Sequence, residues 1–200
     1  MIVEIGHNSV FVGNLLEGLA SMRSLGKSYQ TILAAIDDLL VFGQESSLRV
    51  SDIVHRADIG RSTFYEYFAN VDEALASSLG RPLGIFAEST LGKRSIDEVI
   101  ALLDHFSMHQ SRAQELWDDE HFRRGATQIL AGKYFERLTE QVPSEAVRQP
   151  LSQHLALANL GILFQWLASE FTGRERLAQL LQDHTVAAIK LFLNSSHPAS

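Results

Sequence analysis

The residues best suited to chemistry lie in one short stretch, RADIGRSTFYEYFAN, residues 56–70. A cation and two small hydroxyl groups, Arg61, Ser62 and Thr63, are followed by four aromatic side chains within five positions. Arginine can donate to both major-groove acceptors of guanine, and threonine offers a hydroxyl together with a methyl group that can contact thymine. Tyrosine hydroxyls commonly bond phosphate oxygens. The stretch therefore carries groups that can contact both the base edges and the backbone of DNA.

Helical spacing divides this stretch into two faces. Phe64 and Phe68 are four residues apart and share one face, which can anchor a short helix against Ile36 and Ile53. The candidate DNA contacts are the residues left for the outer face and one from the preceding helix: Ser51, Arg61, Ser62, Thr63, Tyr65 and Tyr67. Four of them have a structural alternative: a solvated cation for the arginine, packed rings with exposed hydroxyls for the tyrosines, and a helix cap for Ser51.

The elements that must position these side chains are two short helices and a tight turn. One apolar face at helical spacing predicts the first helix: Val50, Ile53, Val54 and Ala57. The turn Asp58-Ile59-Gly60 ends it, and the second helix runs from Arg61 to Phe68. Two short helices joined in this way have the geometry of a helix-turn-helix, whose second helix enters the major groove of DNA.

Two further helices flank this pair. The earlier one is predicted by an apolar series with a period near 3.6 residues: Tyr29, Ile32, Leu33, Ile36, Leu39 and Leu40. The later one begins with a capping box, because Asn70 can cap its first turn and Glu73 can reach back. We expect this helix to run to about Gly80, because Pro82 stops or kinks it.

The remainder of the chain is also predicted to be helical. Helices are expected from a capping box at Ser95, over residues 126–138, over Leu151–Phe171 and over Leu177–Leu193. The last two helices are apolar on most of their surface, and Gly161 would permit another helix to approach closely. We therefore expect a two-fold four-helix interface between subunits. A self-contained core is the alternative. The predicted fold class is all-α, with about nine helices.

Composition and charge limit the class of protein. The chain has 200 residues, 46% hydrophobic residues and no Cys, which fits a globular protein and excludes disulfides and Cys-ligated zinc. Its first residues lack both the basic region of a signal peptide and a membrane-length apolar run, so we expect a cytoplasmic protein without a membrane partner. The net charge is −7, and residues 1–80 carry five basic against ten acidic side chains. DNA binding must therefore come from local geometry.

Residues 29–79 resemble the DNA-binding domain of the TetR/AcrR family of one-component transcriptional regulators. The stretch LRVSDIVHRADIGRSTFYEYFANVDEAL is similar to the family signature along its whole length, with these matching positions: Val50, Ser51, Asp52, Ile53, Ala57, Ile59, Arg61, Thr63, Phe64, Tyr65 and Phe68. The resemblance implies a two-domain all-α homodimer. Residues 1–28 would be a flexible N-terminal extension, 29–80 a three-helix helix-turn-helix domain, and 81–200 a helical ligand-binding and dimerisation domain.

The sequence departs from the family pattern at three positions. The turn glycine is Asp58, which enters the left-handed backbone region more easily than most residues. The small alanine of the second helix is Val54, and the phosphate-binding lysine that begins the fourth helix is Val71. Together with the local negative charge, Val71 predicts weak or salt-sensitive DNA binding. It leaves open a helical interaction protein that keeps the scaffold but has lost DNA binding.

The second domain carries candidate ligand-binding residues. Its aromatic side chains can line an apolar pocket or simply fill the core, and the resemblance implies a small-molecule effector. We expect an amphipathic or aromatic compound bound by His105, Trp117, His121 and Trp166. His105 and His109 could ligate a metal, but surface or core histidines are the more typical interpretation, and we expect no metal and no cofactor.

No nucleophile elbow, phosphate-cradling glycine loop or HExxH motif is present, so we do not expect an enzyme. The resulting hypothesis is a ligand-responsive repressor that binds a palindromic operator in double-stranded DNA as a homodimer. Its two recognition helices would lie about 34–36 Å apart, in successive major grooves. An effector that binds better to a state with another spacing would release the DNA.

Overall fold

A computed structural model describes residues 26–42, 48–169 and 172–195. Within these ranges the protein consists of nine α-helices without a strand, which confirms the all-α prediction. The helices are α1 Lys27–Phe42, α2 Val50–Ala57, α3 Arg61–Tyr67, α4 Val71–Thr90, α5 Ile96–Met108, α6 Gln110–Asp118, α7 Glu120–Arg137, α8 Glu145–Ser169 and α9 Arg174–Ser195. Of the N-terminal extension expected over residues 1–28, residues 1–25 lie outside the described residues.

Helices α1, α2 and α3 and the first turns of α4 enclose a small core of their own. Its buried members are Ile32, Leu33, Ile36, Ile53, Phe64, Phe68, Ala74 and Leu75. The apolar face of α1, Phe64 of α3 and Phe68, which directly follows α3, meet there as their spacing predicts. This core fixes the orientation of α3 relative to α1 and α2.

Helix α4 runs through Pro82 to Thr90, so the expected end near Gly80 is wrong. A proline in a helix interior costs about 3 kcal/mol because it removes one backbone hydrogen bond and crowds the preceding turn. Beyond the proline, however, Leu83, Phe86 and Ala87 are buried. Each large apolar side chain gains about 1.5–3 kcal/mol from such burial, which offsets the cost of the proline. The 20-residue α4 therefore belongs to both cores.

The second core lies between the latter part of α4 and helices α5 to α9. Helix α7 packs on α4 and α8, and α9 packs on α5, α4 and α8. The largest fully buried side chains here include Tyr134, Leu130, Leu151 and Leu163. None of the helices in the described part of the chain combines the length and the apolar character needed to cross a membrane.

Candidate nucleic-acid interface

The turn between α2 and α3 adopts the backbone conformation expected of it. Asp58 lies in the left-handed region, with φ 52° and ψ 50°. The N–H of Asp58 donates to the carbonyl oxygen of His55 (3.3 Å), and the N–H of Ile59 donates to that of Val54 (3.1 Å). These bonds satisfy carbonyl groups that the end of α2 would otherwise leave unpaired. A closed turn of this kind holds α3 at a fixed angle to α2.

Helix α3 is buried on one side and exposed on the other. Phe64 is fully buried, Phe68 is nearly so, and their ring centroids lie 5.7 Å apart. Arg61 and Ser62 are exposed, and 55% of the surface of Tyr65 is accessible. Because the phenylalanines anchor the helix, its outer face is presented on a rigid support.

The remaining candidate contacts are only partly available. Thr63 is half-buried. Tyr67 is half-buried as well and packs edge-on against Tyr29, with ring centroids 5.8 Å apart. A Cβ at Gly26 would meet the Tyr67 hydroxyl at 3.0 Å, so this side chain lies close against the start of α1. Ser51 is half-buried and donates to the Asp52 carboxylate (3.2 Å) instead of capping α2.

The charges around α3 are mixed. None of the ion pairs formed within residues 26–42, 48–169 and 172–195 includes Arg61. Arg56, in contrast, is paired with Asp38 at 2.8 Å. The start of α4 offers carboxylates where a phosphate would need cations, because half-buried Val71 is followed by the exposed Asp72 and Glu73. Arg61 is thus an exposed cation on α3 that takes part in no ion pair within these ranges.

The first turn of α4 is capped as predicted. The Asn70 side chain accepts a hydrogen bond from the Glu73 N–H (2.9 Å), and the Glu73 carboxylate accepts one from the Ala69 N–H (2.7 Å). These two bonds fix the loop that connects α3 to α4. The carboxylate of Glu73 is therefore engaged with the protein backbone.

A short helix for which the sequence carries no clear pattern, α6, connects the two cores. Arg112 of α6 is buried, and its guanidinium donates to the carbonyl oxygens of Leu39 (3.1 Å) and Leu40 (3.3 Å). These carbonyls belong to the last turn of α1, which has no basic residue of its own. A cation at this position also complements the negative end of the helix dipole. The only sequence signal was an arginine on the apolar side of a polar segment.

The same helix holds the C-terminal end of α8. Gln110 and Gln114 both donate from their side-chain amides to the carbonyl oxygen of Leu167, the latter at 2.9 Å. Helix α6 therefore links the last turn of α1 to the last turn of α8. A displacement of α6 would therefore disturb the C-terminal ends of both α1 and α8.

The four candidate effector residues have different surroundings. The Trp117 ring is stacked on Phe164, with centroids 4.0 Å apart, and buried Trp166 donates to the carbonyl oxygen of Thr172 (2.7 Å). His105 is half-buried, and burial, followed by the proximity of His109, lowers its pKa.

His121 lies on the outside, 2.6 Å from the Asp72 carboxylate. It lines a cavity of about 30 Å³ between the two cores, together with Leu48, Val71, Asp72, Leu75, Leu116, Asp119 and Phe122. A drug-sized ligand needs a pocket of about 300–1,000 Å³, so this cavity does not hold one. The assignment of the four residues to an effector site stays a prediction.

Comparison with known proteins adds little to these observations. No family model matches the sequence, and no curated protein matches it. Among solved structures, the chain is similar to the protein named "Dihydroxyacetone kinase operon activator DhaS", with 22% sequence identity and a TM-score of 0.47. The similarity covers 83% of this chain and 98% of that one. At this identity and TM-score the likeness carries no argument about function.

Proposed function

We propose that this protein is a ligand-responsive transcriptional regulator of the TetR/AcrR type. It would act as a repressor, bind a palindromic operator as a homodimer, and work by binding without catalysing a reaction. One observation carries the proposal: α3 buries Phe64 and Phe68 while leaving Arg61, Ser62 and Tyr65 exposed. A short helix that is rigidly anchored on one side and polar on the other is what insertion into the major groove requires.

Each candidate residue, whether exposed or half-buried, has a role in this proposal. Arg61 would donate to guanine, and Thr63 would contact a base edge through its hydroxyl and methyl groups. Ser51, Ser62 and Tyr65 would bond phosphate oxygens, which position the protein without reading sequence. Tyr67 would contribute less than Tyr65, because its ring packs against Tyr29 at the start of α1.

The proposed dimer uses the outer faces of α8 and α9. Four apolar side chains there are exposed in the single chain: Leu157 (60%), Leu180 (42%), Val186 (38%) and Leu191 (66%). At Gly161, a Cβ would meet no atom within 4 Å, so the backbone of a partner helix can approach closely. Pairing of these two helices with their copies would form a four-helix interface and remove this apolar surface from water.

The proposed response to an effector depends on α6. An amphipathic or aromatic compound bound near Trp117 and Trp166, with contributions from His105 and His121, would displace α6 relative to α8. Since Arg112 of α6 holds the end of α1, the helix-turn-helix unit would move with it. The effector can release DNA only to the extent that it binds the displaced state more tightly.

The test begins with selection from a genomic DNA pool at low salt, followed by anisotropy titrations on the enriched sequence. Arg61→Gln is expected to weaken binding by about 1–3 kcal/mol, because it removes a bidentate contact with guanine. Thr63→Ala and Tyr65→Ala are also expected to weaken binding while leaving the oligomeric state unchanged. The matched control is Arg124→Gln on α7, which removes an exposed positive charge paired with Glu120. Equal effects of Arg61→Gln and Arg124→Gln would contradict a specific role for α3.

A second candidate is a helical interaction protein that no longer binds DNA. Half-buried Val71, followed by two exposed carboxylates where α4 starts beside α3, favours it. Low salt separates the two candidates, because even a weak DNA-binding protein retains fragments there. Failure to enrich any DNA would favour this alternative, whereas enrichment that falls steeply with salt would exclude it.

A further inference from the structure

A buried polar network in the second core fixes the orientation of one amide group. Asn159 of α8 is fully buried, and its side-chain NH₂ donates to the Tyr134 hydroxyl (2.7 Å) and the Thr185 hydroxyl (2.9 Å). The hydroxyl hydrogen of Thr185 is already used, because it is donated to the carbonyl oxygen of Leu181 (2.8 Å). The Thr185 oxygen must therefore accept from Asn159. This requirement directs the amide oxygen of Asn159 to its remaining neighbour.

That neighbour is His184 of α9. Its Nδ1 lies 2.9 Å from the amide oxygen of Asn159. An amide oxygen only accepts hydrogen bonds, so Nδ1 must carry a proton, and in the neutral imidazole the lone pair is therefore on Nε2. A neutral imidazole that is oriented by a hydrogen bond from its other nitrogen is the usual state of a metal-ligating histidine.

A second imidazole stands beside the first. His154 of α8 is exposed, and its ring centroid lies 5.8 Å from that of His184. Two imidazoles on one tetrahedral metal ion have centroids about 5 Å apart, given metal–nitrogen distances of about 2.0–2.1 Å. The observed separation is longer, so metal binding requires a side-chain rotation of His154, whose ring also packs against Phe192 with centroids 5.6 Å apart. The two rings come from different helices, so they can share an ion without unwinding either one.

We propose that His154 and His184 form a binding site for a late first-row divalent transition metal such as Zn²⁺. Imidazole nitrogens suit these metals, and the sequence has no Cys that would compete for them. No group of three or more His, Cys, Asp or Glu side chains that could hold a metal occurs in the part of the chain that the structure describes. The other coordination positions would therefore be filled by water or by the same pair from a second subunit.

The site lies on the surface proposed for dimerisation, since His154 and the exposed Leu157 are three residues apart on α8. The metal would therefore bind at or beside the paired helices. The proposal does not depend on DNA binding, so the two can fail separately. A repressor without this site would still bind its operator in the presence of a chelator.

The chain contains a rival pair that serves as a matched control. His105 and His109 have ring centroids 5.1 Å apart, which is also compatible with a shared ion. His184 is held in one tautomer by its buried asparagine. Metal binding that depends on His154 and His184 but not on His105 and His109 would show that ring spacing alone does not decide.

The experiment is a calorimetric titration of tag-free, chelator-treated protein with ZnCl₂. We expect saturable binding of one ion per chain, or of one per two chains if two subunits share it. His154→Gln and His184→Gln should each weaken binding by about tenfold or more. His105→Gln/His109→Gln should leave it unchanged. His154 is exposed, but its ring contacts Phe192, which packs on the second core, so circular dichroism of the metal-free variants checks their folding.

Electron paramagnetic resonance with Cu²⁺ as the probe supplies a second measurement. Two coupled imidazole nitrogens are expected in the native protein, and fewer in His154→Gln. The proposal is overturned if the protein binds no Zn²⁺, if binding survives both single substitutions, or if only the His105/His109 variant loses it.

Discussion

Replacement of Arg112 by methionine should weaken the connection between the two cores and lower the free energy of unfolding. The guanidinium is buried and donates to two carbonyl groups in the last turn of α1, Leu39 and Leu40. Those carbonyls belong to the final four residues of α1, which have no partners within the helix. Methionine retains most of the apolar stem but cannot donate. The substitution therefore removes the hydrogen bonds without leaving a large cavity.

The expected loss follows from these contacts. A hydrogen bond from a charged donor contributes about 1.5–3 kcal/mol, and the Nε–Leu40 contact of 3.3 Å is long. Water that reaches the exposed end of α1 recovers part of the loss. The contact of Arg112 with Glu115 is 3.4 Å long and involves an exposed carboxylate, so it adds little. We expect Arg112→Met to lower the free energy of unfolding by about 2–3 kcal/mol.

Equilibrium urea denaturation, monitored by circular dichroism, measures this change in the free energy of unfolding. The matched control is Arg124→Met, which removes an exposed guanidinium paired with Glu120 and should change stability by less than about 0.5 kcal/mol. Arg112→Lys keeps the charge with a single donor group and should fall between the native protein and Arg112→Met. A loss below about 1 kcal/mol in Arg112→Met would refute the view that this arginine ties α6 to α1.

Three further outcomes are expected. Asp58→Gly should raise the free energy of unfolding in urea by about 1 kcal/mol, because glycine takes the left-handed conformation without a Cβ clash; a loss of stability would contradict this. Burial raises the pKa of Asp37 against the opposing hydrogen bond from Ser78, so native stability should fall as pH rises from the ordinary value of 3.8 through the raised pKa. Asp37→Asn should flatten that part of the profile, and an unchanged slope in urea titrations across this range would argue against it. Leu157→Glu should give monomers in sedimentation velocity. Met108→Glu, at a similarly exposed position on α5, is the control and should not. The same oligomeric state in both variants would contradict an α8–α9 interface.

The elements around α3 were predictable because their signals are local. The apolar spacing of α1 and α2, the caps at Asn70 and Ser95, and the left-handed Asp58 all depend on residues within a few positions of each other. The burial of Phe64 also follows from local spacing, since a short helix can bury only one face. The exposure of Arg61, Ser62 and Tyr65 follows from the same spacing, whereas the half-burial of Tyr67 depends on its contact with Tyr29 of α1.

The features that the sequence did not predict depend on distant contacts. Helix α4 continues past Pro82 because residues beyond the proline are buried by α5 and α7, which a local breaker signal does not register. Helix α6 is short and polar and is held by the bonds of Arg112 to α1 and of two glutamines to α8. The rings of His154 and His184 come from two different helices, so their proximity has no sequence pattern in either helix.

The continuity of α4 has a mechanical consequence. At 1.5 Å per residue, its 20 residues form a rod of about 30 Å that starts beside α3 and ends in the second core. A tilt of about 10° at the second-core end would carry the Val71 end through about 5 Å, close to one helical pitch. Such a rod is a lever arm, so a slight repacking of α4 on α7 would be amplified into a larger displacement of α3 and its exposed residues.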